Sequence, residues 1–304
     1  MRRQVRALSL VVAIIAVAAI VGGCSAGDVP QLGKAKIAPP IVKEEGKLTV
    51  GVDYQYLPYS GEVNGKLEGL DVDVASLIAN DLGLEVSFVE VPHENISDAV
   101  SGGTVDVAMS TLLGEIDPAA VAVSGVYVSE APALFSSKEM ASSISVSNLS
   151  QITIGAEANT LAEWAASDKG ATNIKPFENL PEAFDALGAG EIQAVACDAV
   201  VGGYLCMTNP DVAFVEQIRG ADLIGVGVAS SNVELQEAIQ NVLDTAEADG
   251  RLELILRTWI GDLPTLSVET SATPTPDETA TPDATSIEET TAPDAEGNAE
   301  EVTE

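Results

Sequence analysis

The sequence predicts a two-lobed α/β protein in which each lobe is built on a mostly parallel sheet covered by helices. Two observations indicate this fold: strand-like and helix-like apolar patterns alternate through the body of the chain, and one helix–turn–strand passage occurs twice. Open α/β sheets bind ligands beyond the carboxyl ends of their strands. Two facing lobes would therefore enclose a ligand cleft between them.

The first α/β unit runs from residue 47 to residue 110. It comprises an apolar strand, a helix with apolar residues at helical spacing, an alternating strand, a short helix and a buried strand, at residues 47–52, 72–82, 84–91, 96–101 and 105–110. Strands that alternate with helices in this way are typical of a parallel sheet.

A second unit follows, with strand, helix, helix and strand patterns at residues 152–156, 160–166, 181–187 and 192–197. Its passage 183–195 resembles passage 96–108 of the first unit, since each is a helix, a glycine turn and a buried strand. Two similar units in one chain indicate two lobes. Two further helices, 233–248 and 252–259, end at glycine-containing stop signals and close the folded body near Gly261.

The N-terminus has the layout of a secretory signal peptide. Three arginines precede an apolar run, 7–21, that is shorter than the roughly 20 residues needed to span a bilayer. The run ends in Val21-Gly22-Gly23-Cys24, which resembles a lipobox. We expect residues 1–23 to be removed and Cys24 to carry lipid. A plain signal peptide and an uncleaved anchor are the alternatives, and each of them would still export the body.

Segments of different composition flank the body. Residues 24–45 are expected to form the lipidated N-terminus and a proline-containing linker. Residues 263–304 consist mainly of Thr, Pro, Ala, Ser, Asp and Glu and contain no Lys, Arg or aromatic residue. Such a composition buries too little apolar surface to order the chain, so we expect a disordered acidic tail. A stalk that carries O-glycans is the alternative.

The chain is strongly acidic, with a net charge of −33 at pH 7. Nucleic-acid binding and docking on anionic lipid both need a basic face, so the charge argues against both. Cys197 and Cys206 are separated by a strand end and a helix, and we expect both to be unpaired because this separation exceeds the reach of a disulfide. No spacing of Cys or His suggests a metal site.

The first long helix opens with the residues Gly69-Leu70-Asp71-Val72-Asp73-Val74-Ala75-Ser76-Leu77-Ile78-Ala79. This motif resembles the signature of the bacterial extracellular solute-binding proteins, family 3, and shorter matches in the expected order extend the likeness over residues 46–261. The resemblance implies the type II periplasmic-binding-protein fold, in which a two-strand hinge joins the lobes. The hinge strands would lie near 127–135 and 223–228, so that lobe 1 comprises residues 46–129 plus 228–262 and lobe 2 comprises residues 130–227.

The resemblance implies a substrate-binding lipoprotein of an ABC importer, which captures an amino-acid-like solute or a cationic amine by closing its lobes. Its partners would be the solute, an ABC permease and, through the lipid anchor, the outer face of the cell membrane. No cofactor is implied, and we expect a monomer without enzymatic activity. The alternatives are a surface sensor or adhesive module with a degenerate cleft, and an enzyme on the same fold, for which the sequence offers no nucleophile–base pair.

Five residues are candidates for contacts with the ammonium group or with other parts of the ligand apart from its carboxylate. Asp53 and Asp198 follow matching strands of the two lobes, where charge-assisted hydrogen bonds would hold a cation. By the resemblance, Tyr56 and Tyr59 would flank the ligand, and His93 falls where relatives carry an aromatic residue. The structural alternatives are a turn or helix cap for the aspartates, core packing for the tyrosines and an exposed loop for the histidine.

By the resemblance, hydroxyl groups at Ser110, Thr111 and Thr160 would bind the ligand carboxylate. Relatives add an arginine shortly after the first two hydroxyls, but this chain continues Leu112-Leu113-Gly114-Glu115, and Leu161 replaces a second threonine after Thr160. Losing a bidentate arginine is costly if a carboxylate is still buried there. We therefore hypothesise a ligand that is cationic or lacks a free α-carboxylate.

Two further expectations concern structure. Asp71 precedes an apolar helical run, and we expect its carboxylate to cap that helix. Gly225 and Gly227 fall in the expected second hinge strand, where small residues would absorb backbone rotation.

Overall fold

The computed structural model describes residues 33–268. The strands, in chain order, are β1 (Lys47–Val52), β2 (Gln55–Tyr56), β3 (Ser60–Val63), β4 (Lys66–Glu68), β5 (Glu85–Glu90), β6 (Val107–Leu112), β7 (Val121–Glu130), β8 (Pro132–Ser137), β9 (Ile154–Glu157), β10 (Ile174–Phe177), β11 (Ala194–Asp198), β12 (Val212–Gln217) and β13 (Asp222–Ala229). The helices are α1 (Leu70–Leu82), α2 (Ile96–Ser101), α3 (Leu161–Asp168), α4 (Leu180–Gly188), α5 (Ala199–Thr208), α6 (Val233–Ala248) and α7 (Arg251–Ile260). Short 3₁₀ turns lie at His93–Asn95, Ala141–Ser143 and Val146–Gln151.

The expected signal peptide, Cys24 and residues 269–304 of the expected tail lie outside the described residues. None of the helices between residues 33 and 268 combines the length and the apolar composition that a membrane span requires.

The first lobe is a five-stranded sheet in the order β5-β1-β6-β13-β7. β1 runs parallel to β5 and β6, whereas β13 runs antiparallel to β6 and β7. One face packs on α1, α6 and α7 around Leu48, Ile78 and Leu235. The other face packs on α2 around Ile96 and Val105. The two-sided burial explains why the central strand β6 begins with three consecutive buried apolar residues, whereas the edge strand β5 begins with alternating polar and apolar residues.

The second lobe repeats this architecture with a sheet in the order β10-β9-β11-β8-β12. β9 runs parallel to β10 and β11, and β8 runs antiparallel to β11 and β12. The neighbouring residues Leu134 and Phe135 of β8 point to opposite faces and enter two separate cores. The prediction of two α/β lobes is confirmed, and the repeated passages become α2–β6 and α4–β11, which hold matching places in the two sheets.

The chain crosses between the lobes at residue 131 and again at residues 218–221. β7 pairs within the first sheet up to Glu130, and β8 starts in the second sheet at Pro132. The buried residues Ala131, Ile218 and Ala221 all belong to cores of the second lobe. The second lobe therefore comprises residues 131–221, and it ends earlier than the expected residue 227.

The strand at 223–228, expected as the second hinge strand, begins directly after the second crossing between the lobes. It forms part of β13, which lies inside the first sheet between β6 and β7. A β-carbon at Gly227 would lie 2.5 Å from Oγ1 of Thr111, and one at Gly225 would lie 2.5 Å from a methyl group of Val123. These glycines therefore permit close packing within the sheet. Antiparallel pairing with two distant strands leaves no mark in the local sequence, so the place of this strand inside the first sheet was not predicted.

Residues 36–45 pack on the first lobe, although a linker was expected there. Val42 is 1% exposed and belongs to the core of that lobe. The backbone N–H of Lys43 donates a 2.7 Å hydrogen bond to Oδ1 of Asp106. The apolar and backbone contacts together order this part of the expected linker.

Residues 263–268 return from α7 to the second lobe, although the tail was expected to begin there. Leu266 is buried in a core of the second lobe. The N–H of Ser267 donates to Oε1 of Gln217 at 2.6 Å, and its carbonyl oxygen accepts from the N–H of Ala221 at 2.9 Å. The ordered chain therefore extends past Gly261 and connects the two lobes a third time.

Candidate functional site

A cavity of about 580 Å³ lies between the lobes, a size typical of sites for small molecules. Its lining includes six of the eight predicted ligand residues: Asp53, Tyr56, Tyr59, His93, Ser110 and Asp198. Thr111 and Thr160 do not line this cavity. The strand ends of both sheets thus converge as expected for an open α/β fold.

The cavity wall also contains residues that the sequence analysis did not assign to the site. They include Asp71, Leu112, Glu130, Leu161, Arg219 and Asp222. Among residues 33–268, the wall contains six carboxylates, and Arg219 is its only Lys or Arg. Glu130 ends a strand just as Asp198 does, so the strand-end rule that selected Asp198 would have found it too.

Glu130 lies in the cavity floor and joins the two lobes. Its Oε2 accepts a 2.8 Å hydrogen bond from the hydroxyl group of Tyr59 in the first lobe. Its Oε1 accepts from the N–H of Ala131 at 2.8 Å, and the N–H of Val200, at the start of α5, lies 3.3 Å from both oxygens. Burial, followed by the nearby charge of Asp198, raises the pKa of Glu130 to about 8, and the three donors only partly offset this effect.

Asp198 occupies the N-cap position of α5 but makes no side-chain capping bond. Its carboxylate has no hydrogen-bond donor anywhere in residues 33–268, and Glu130 supplies the capping contact to Val200 instead. Burial raises the pKa of Asp198, and the charge of Glu157 adds to this shift. The alternative that Asp198 is a side-chain helix cap is therefore wrong, and its carboxylate is free to accept hydrogen bonds from a ligand.

Asp53 combines a turn contact with a place in the cavity wall. Its Oδ1 accepts a 2.9 Å hydrogen bond from the N–H of Gln55, which is the turn role foreseen as an alternative. Its other oxygen makes no hydrogen bond to residues 33–268.

Tyr56 and Tyr59 stack on each other, with ring centroids 5.5 Å apart and planes inclined by 5°. Tyr59 is buried, whereas Tyr56 is 49% exposed. Burial of its hydroxyl group, with the charges of Asp198, Glu130 and Glu157, raises the pKa of Tyr56. The outer ring face of Tyr56 thus lies among carboxylates, where a cation is also attracted to the ring.

His93 lies at the rim of the cavity in a 3₁₀ turn. Its side chain is half exposed, and Nε2 lies 3.7 Å from Oε2 of Glu115. This pair joins two loops of the first lobe.

The three hydroxyl groups predicted to bind a carboxylate each donate within the protein. Ser110 Oγ donates to Oδ2 of Asp71 at 2.7 Å, and the N–H of Ser110 donates to the hydroxyl oxygen of Tyr127 at 2.8 Å. Thr111 Oγ1 donates to the carbonyl of Ala108. Thr160 Oγ1 donates to the carbonyl of Glu157 and accepts the N–H of Glu163 as the N-cap of α3. The donors that would bind a ligand carboxylate are therefore engaged elsewhere.

Asp71 does not cap α1, contrary to expectation. Gly69 is the N-cap residue, with φ 149°, and Asp71 lies in the first turn with its carboxylate turned toward β6 and β7. The hydroxyl of Tyr127 donates to its Oδ1 at 2.6 Å. Burial raises the pKa of Asp71 to about 6, although the hydrogen bonds from Tyr127 and Ser110 oppose this shift. Its partners lie 39 and 56 residues away, so local sequence could not identify them.

Arg219 enters the cavity wall from the second crossing between the lobes. Its Nη2 donates a 3.1 Å hydrogen bond to Oδ2 of Asp222, and both side chains are partly exposed. This ion pair neutralises the charge of Arg219, so the remaining carboxylates that the described chain contributes to the wall keep an excess of negative charge.

Comparison with known proteins gives a consistent picture. The model of the bacterial extracellular solute-binding proteins, family 3, matches residues 48–262. The L-cystine-binding protein TcyJ of Escherichia coli (strain K12) is 24% identical over 225 residues, which cover 72% of this chain and 85% of that protein. The ABC transporter glutamine-binding protein GlnH of Bacillus subtilis (strain 168) is 27% identical over 267 residues, covering 85% and 97%. Among solved structures, an ancestral cationic amino acid solute-binding protein superposes with a TM-score of 0.64 at 27% identity, covering 71% of this chain and 96% of that one.

Proposed function

Because the chain belongs to the bacterial extracellular solute-binding proteins, family 3, we propose that it captures a small cationic solute between its lobes and delivers it to an ABC permease. The matched region contains both lobes and the cavity between them. The family consists of solute-binding proteins, and we infer that this member binds without catalysing a reaction.

The main support for a cationic solute is that the carboxylate of Asp198 lines the cavity and has no hydrogen-bond donor among residues 33–268. Glu130 lies beside it, and no Lys or Arg of the described chain contacts either group. Burying uncompensated carboxylates is unfavourable. An ammonium or guanidinium group of the solute would supply the missing charge through charge-assisted hydrogen bonds.

A second observation argues against a free α-carboxylate in the solute. Ser110, Thr111 and Thr160 use their hydroxyl hydrogens within the protein. A buried ligand carboxylate would then lack hydrogen-bond donors, and the free energy lost by removing it from water would exceed the free energy gained from its remaining hydrogen bonds. Relatives are named after amino acids, all of which have an ammonium group. This chain would therefore keep the half of the site that binds the ammonium group and lose the half that binds the carboxylate.

The test is calorimetric titration with a matched pair, L-arginine and its decarboxylated form agmatine. We expect micromolar binding of agmatine and at least tenfold weaker binding of L-arginine. Asp198→Asn should weaken agmatine binding by at least about tenfold, because a hydrogen bond to a charged group is worth roughly 1.5–3 kcal/mol. Asp211→Asn is the control, since Asp211 is exposed and lies outside the cavity. Micromolar binding of an ordinary neutral or acidic amino acid, without amine binding, would contradict the proposal.

We further propose that the protein acts as a monomer, anchored to the outer face of the cell membrane through lipid on Cys24. Replacing Cys24 by Ser should release the protein from the membrane fraction while leaving agmatine binding intact. In cells, Asp198→Asn should abolish solute uptake. A surface sensor or adhesive module predicts no loss of uptake, so this variant separates the two functions.

A further inference from the structure

Besides its charged and polar residues, the wall of the cavity contains a set of apolar side chains. Its apolar residues come from both lobes: Ile96, Leu112 and Ile224 from the first, and Ala131, Pro132 and Leu161 from the second. A site built only for a small hydrophilic cation would gain nothing from these side chains. They indicate that part of the solute is itself apolar.

Leu161 is the clearest member of this set. It is the first residue of α3 and is 43% exposed, although it stands at the wall of a cavity between two lobes. Trp164 lies three residues further on, hence on the same side of the helix, and is 57% exposed. When a ligand covers exposed apolar surface in a cleft, the complex is stabilised by roughly 25 cal/mol for each Å² of that surface removed from water.

Leu112 faces the cavity from the first lobe. It ends β6 and pairs with Ile224 of β13, which also lines the cavity. Both leucines lie in the two segments where, by the resemblance, relatives bind the ligand carboxylate: Leu112 opens the stretch that lacks the arginine, and Leu161 replaces a threonine. The half of the site that has lost its polar donors has thus become an apolar surface.

We propose that the solute is an amphiphilic amine, whose ammonium group is bound by Asp198 and Glu130 and whose alkyl or aromatic part is bound by Leu112 and Leu161. This inference rests on the proposed function and narrows its substrate class. The stacked pair of Tyr56 and Tyr59 borders the same cavity and offers one more apolar face beside the carboxylates.

The experiment is a calorimetric series with n-propylamine, n-butylamine, n-pentylamine and n-hexylamine, and with 2-(2-aminoethoxy)ethanol as a polar compound of the same length as n-hexylamine. We expect the dissociation constant to fall about threefold to fourfold with each methylene. The polar compound should bind at least tenfold more weakly than n-hexylamine. A dissociation constant that does not change along the series would overturn the inference and leave the proposed function standing.

Two variants separate ligand contact from general effects. Leu161→Thr should raise the dissociation constant of n-hexylamine about tenfold while changing that of n-propylamine less than twofold. Leu254→Thr is the matched control, because Leu254 is also a helical leucine, is 67% exposed and lies on α7 outside the cavity. If Leu161→Thr weakens all amines equally, the leucine serves lobe closure and the inference is wrong. If no amine binds at all, the proposed function itself fails.

Discussion

The hydroxyl group of Tyr59 lies 2.8 Å from Oε2 of Glu130 and donates a hydrogen bond to it. Tyr59 belongs to the first lobe, and the same carboxyl group accepts from the backbone of Ala131 and Val200 in the second. The protonation of one buried side chain is therefore coupled to contacts with both lobes. Four other groups around it are titratable: Tyr59 and Tyr56 from the first lobe, and Asp198 and Cys197 from the second.

The first prediction concerns stability. The pKa of Glu130 is raised from 4.5 in its ordinary state to about 8 in the folded protein. Between these two pH values, the folded state retains a proton that the unfolded state has lost. The stabilisation that this proton on Glu130 provides is complete below about pH 4.5 and disappears as pH rises through about 8. We expect the free energy of unfolding to fall between pH 6.5 and 8.5 more steeply in the wild type than in Glu130→Gln.

Chemical denaturation across this pH range provides the measurement. Asp71, with a pKa of about 6, completes most of its titration below the window. If the free energy of unfolding changed with pH equally in the wild type and in Glu130→Gln, Glu130 would not titrate between about pH 6.5 and 8.5, and the prediction would be wrong.

The second prediction concerns binding of a cation. A protonated Glu130 cannot serve as a counterion, so agmatine must displace the proton, and its affinity should rise with pH up to about 8 and then level off. Agmatine keeps its charge throughout this range, so the change reports on the protein. Calorimetry should show the slope in the wild type and a flat profile in Glu130→Gln. Equal slopes in both proteins would assign the proton to another group.

The third prediction concerns Arg219, whose guanidinium group is paired with Asp222. If the solute lacks a carboxylate, Arg219→Gln should leave agmatine binding unchanged or strengthen it slightly, because the variant removes a positive charge from the wall. Calorimetry of agmatine and L-arginine with this variant tests the point. Loss of L-arginine binding in the variant, from a micromolar wild-type value, would show that Arg219 binds a carboxylate in place of the arginine missing after β6.

The fourth prediction concerns the packing of β13. Gly227→Ala would place a β-carbon 2.5 Å from Oγ1 of the buried Thr111, and we expect a loss of about 1–3 kcal/mol in the free energy of unfolding. Gly188→Ala is the control, since no described residue other than its two chain neighbours and the backbone of its own helix lies within 4 Å of its β-carbon position at the end of α4. Denaturant titration distinguishes them. If Gly227 served hinge rotation alone, its variant would alter ligand affinity without lowering stability.

Local pattern was sufficient for most helices and for the central strands of the fold, but it missed β10 and β12. The helix at α1 ends at Gly83, whose φ of 72° and two backbone bonds match the stop signal seen in the sequence. The position of β13 between β6 and β7 was missed because antiparallel pairing joins residues more than a hundred positions apart, such as Gly225 and Thr111. Neither periodicity nor turn residues carry that information.

The sequence by itself determined the alternation of strands and helices, the presence of two lobes and the placement of Asp53 and Asp198 at strand ends, since these follow from local periodicity and from the direction of parallel strands. Only the tertiary structure decided which polar groups remain available to a ligand. Tyr59 reaches Glu130 across 71 residues, and Ser110 reaches Asp71 across 39. Hydrogen bonds over such distances form only after the sheets have assembled. They satisfy the hydroxyl of Ser110, while the carboxylate of Asp198 finds no hydrogen-bond donor within the described part of the chain.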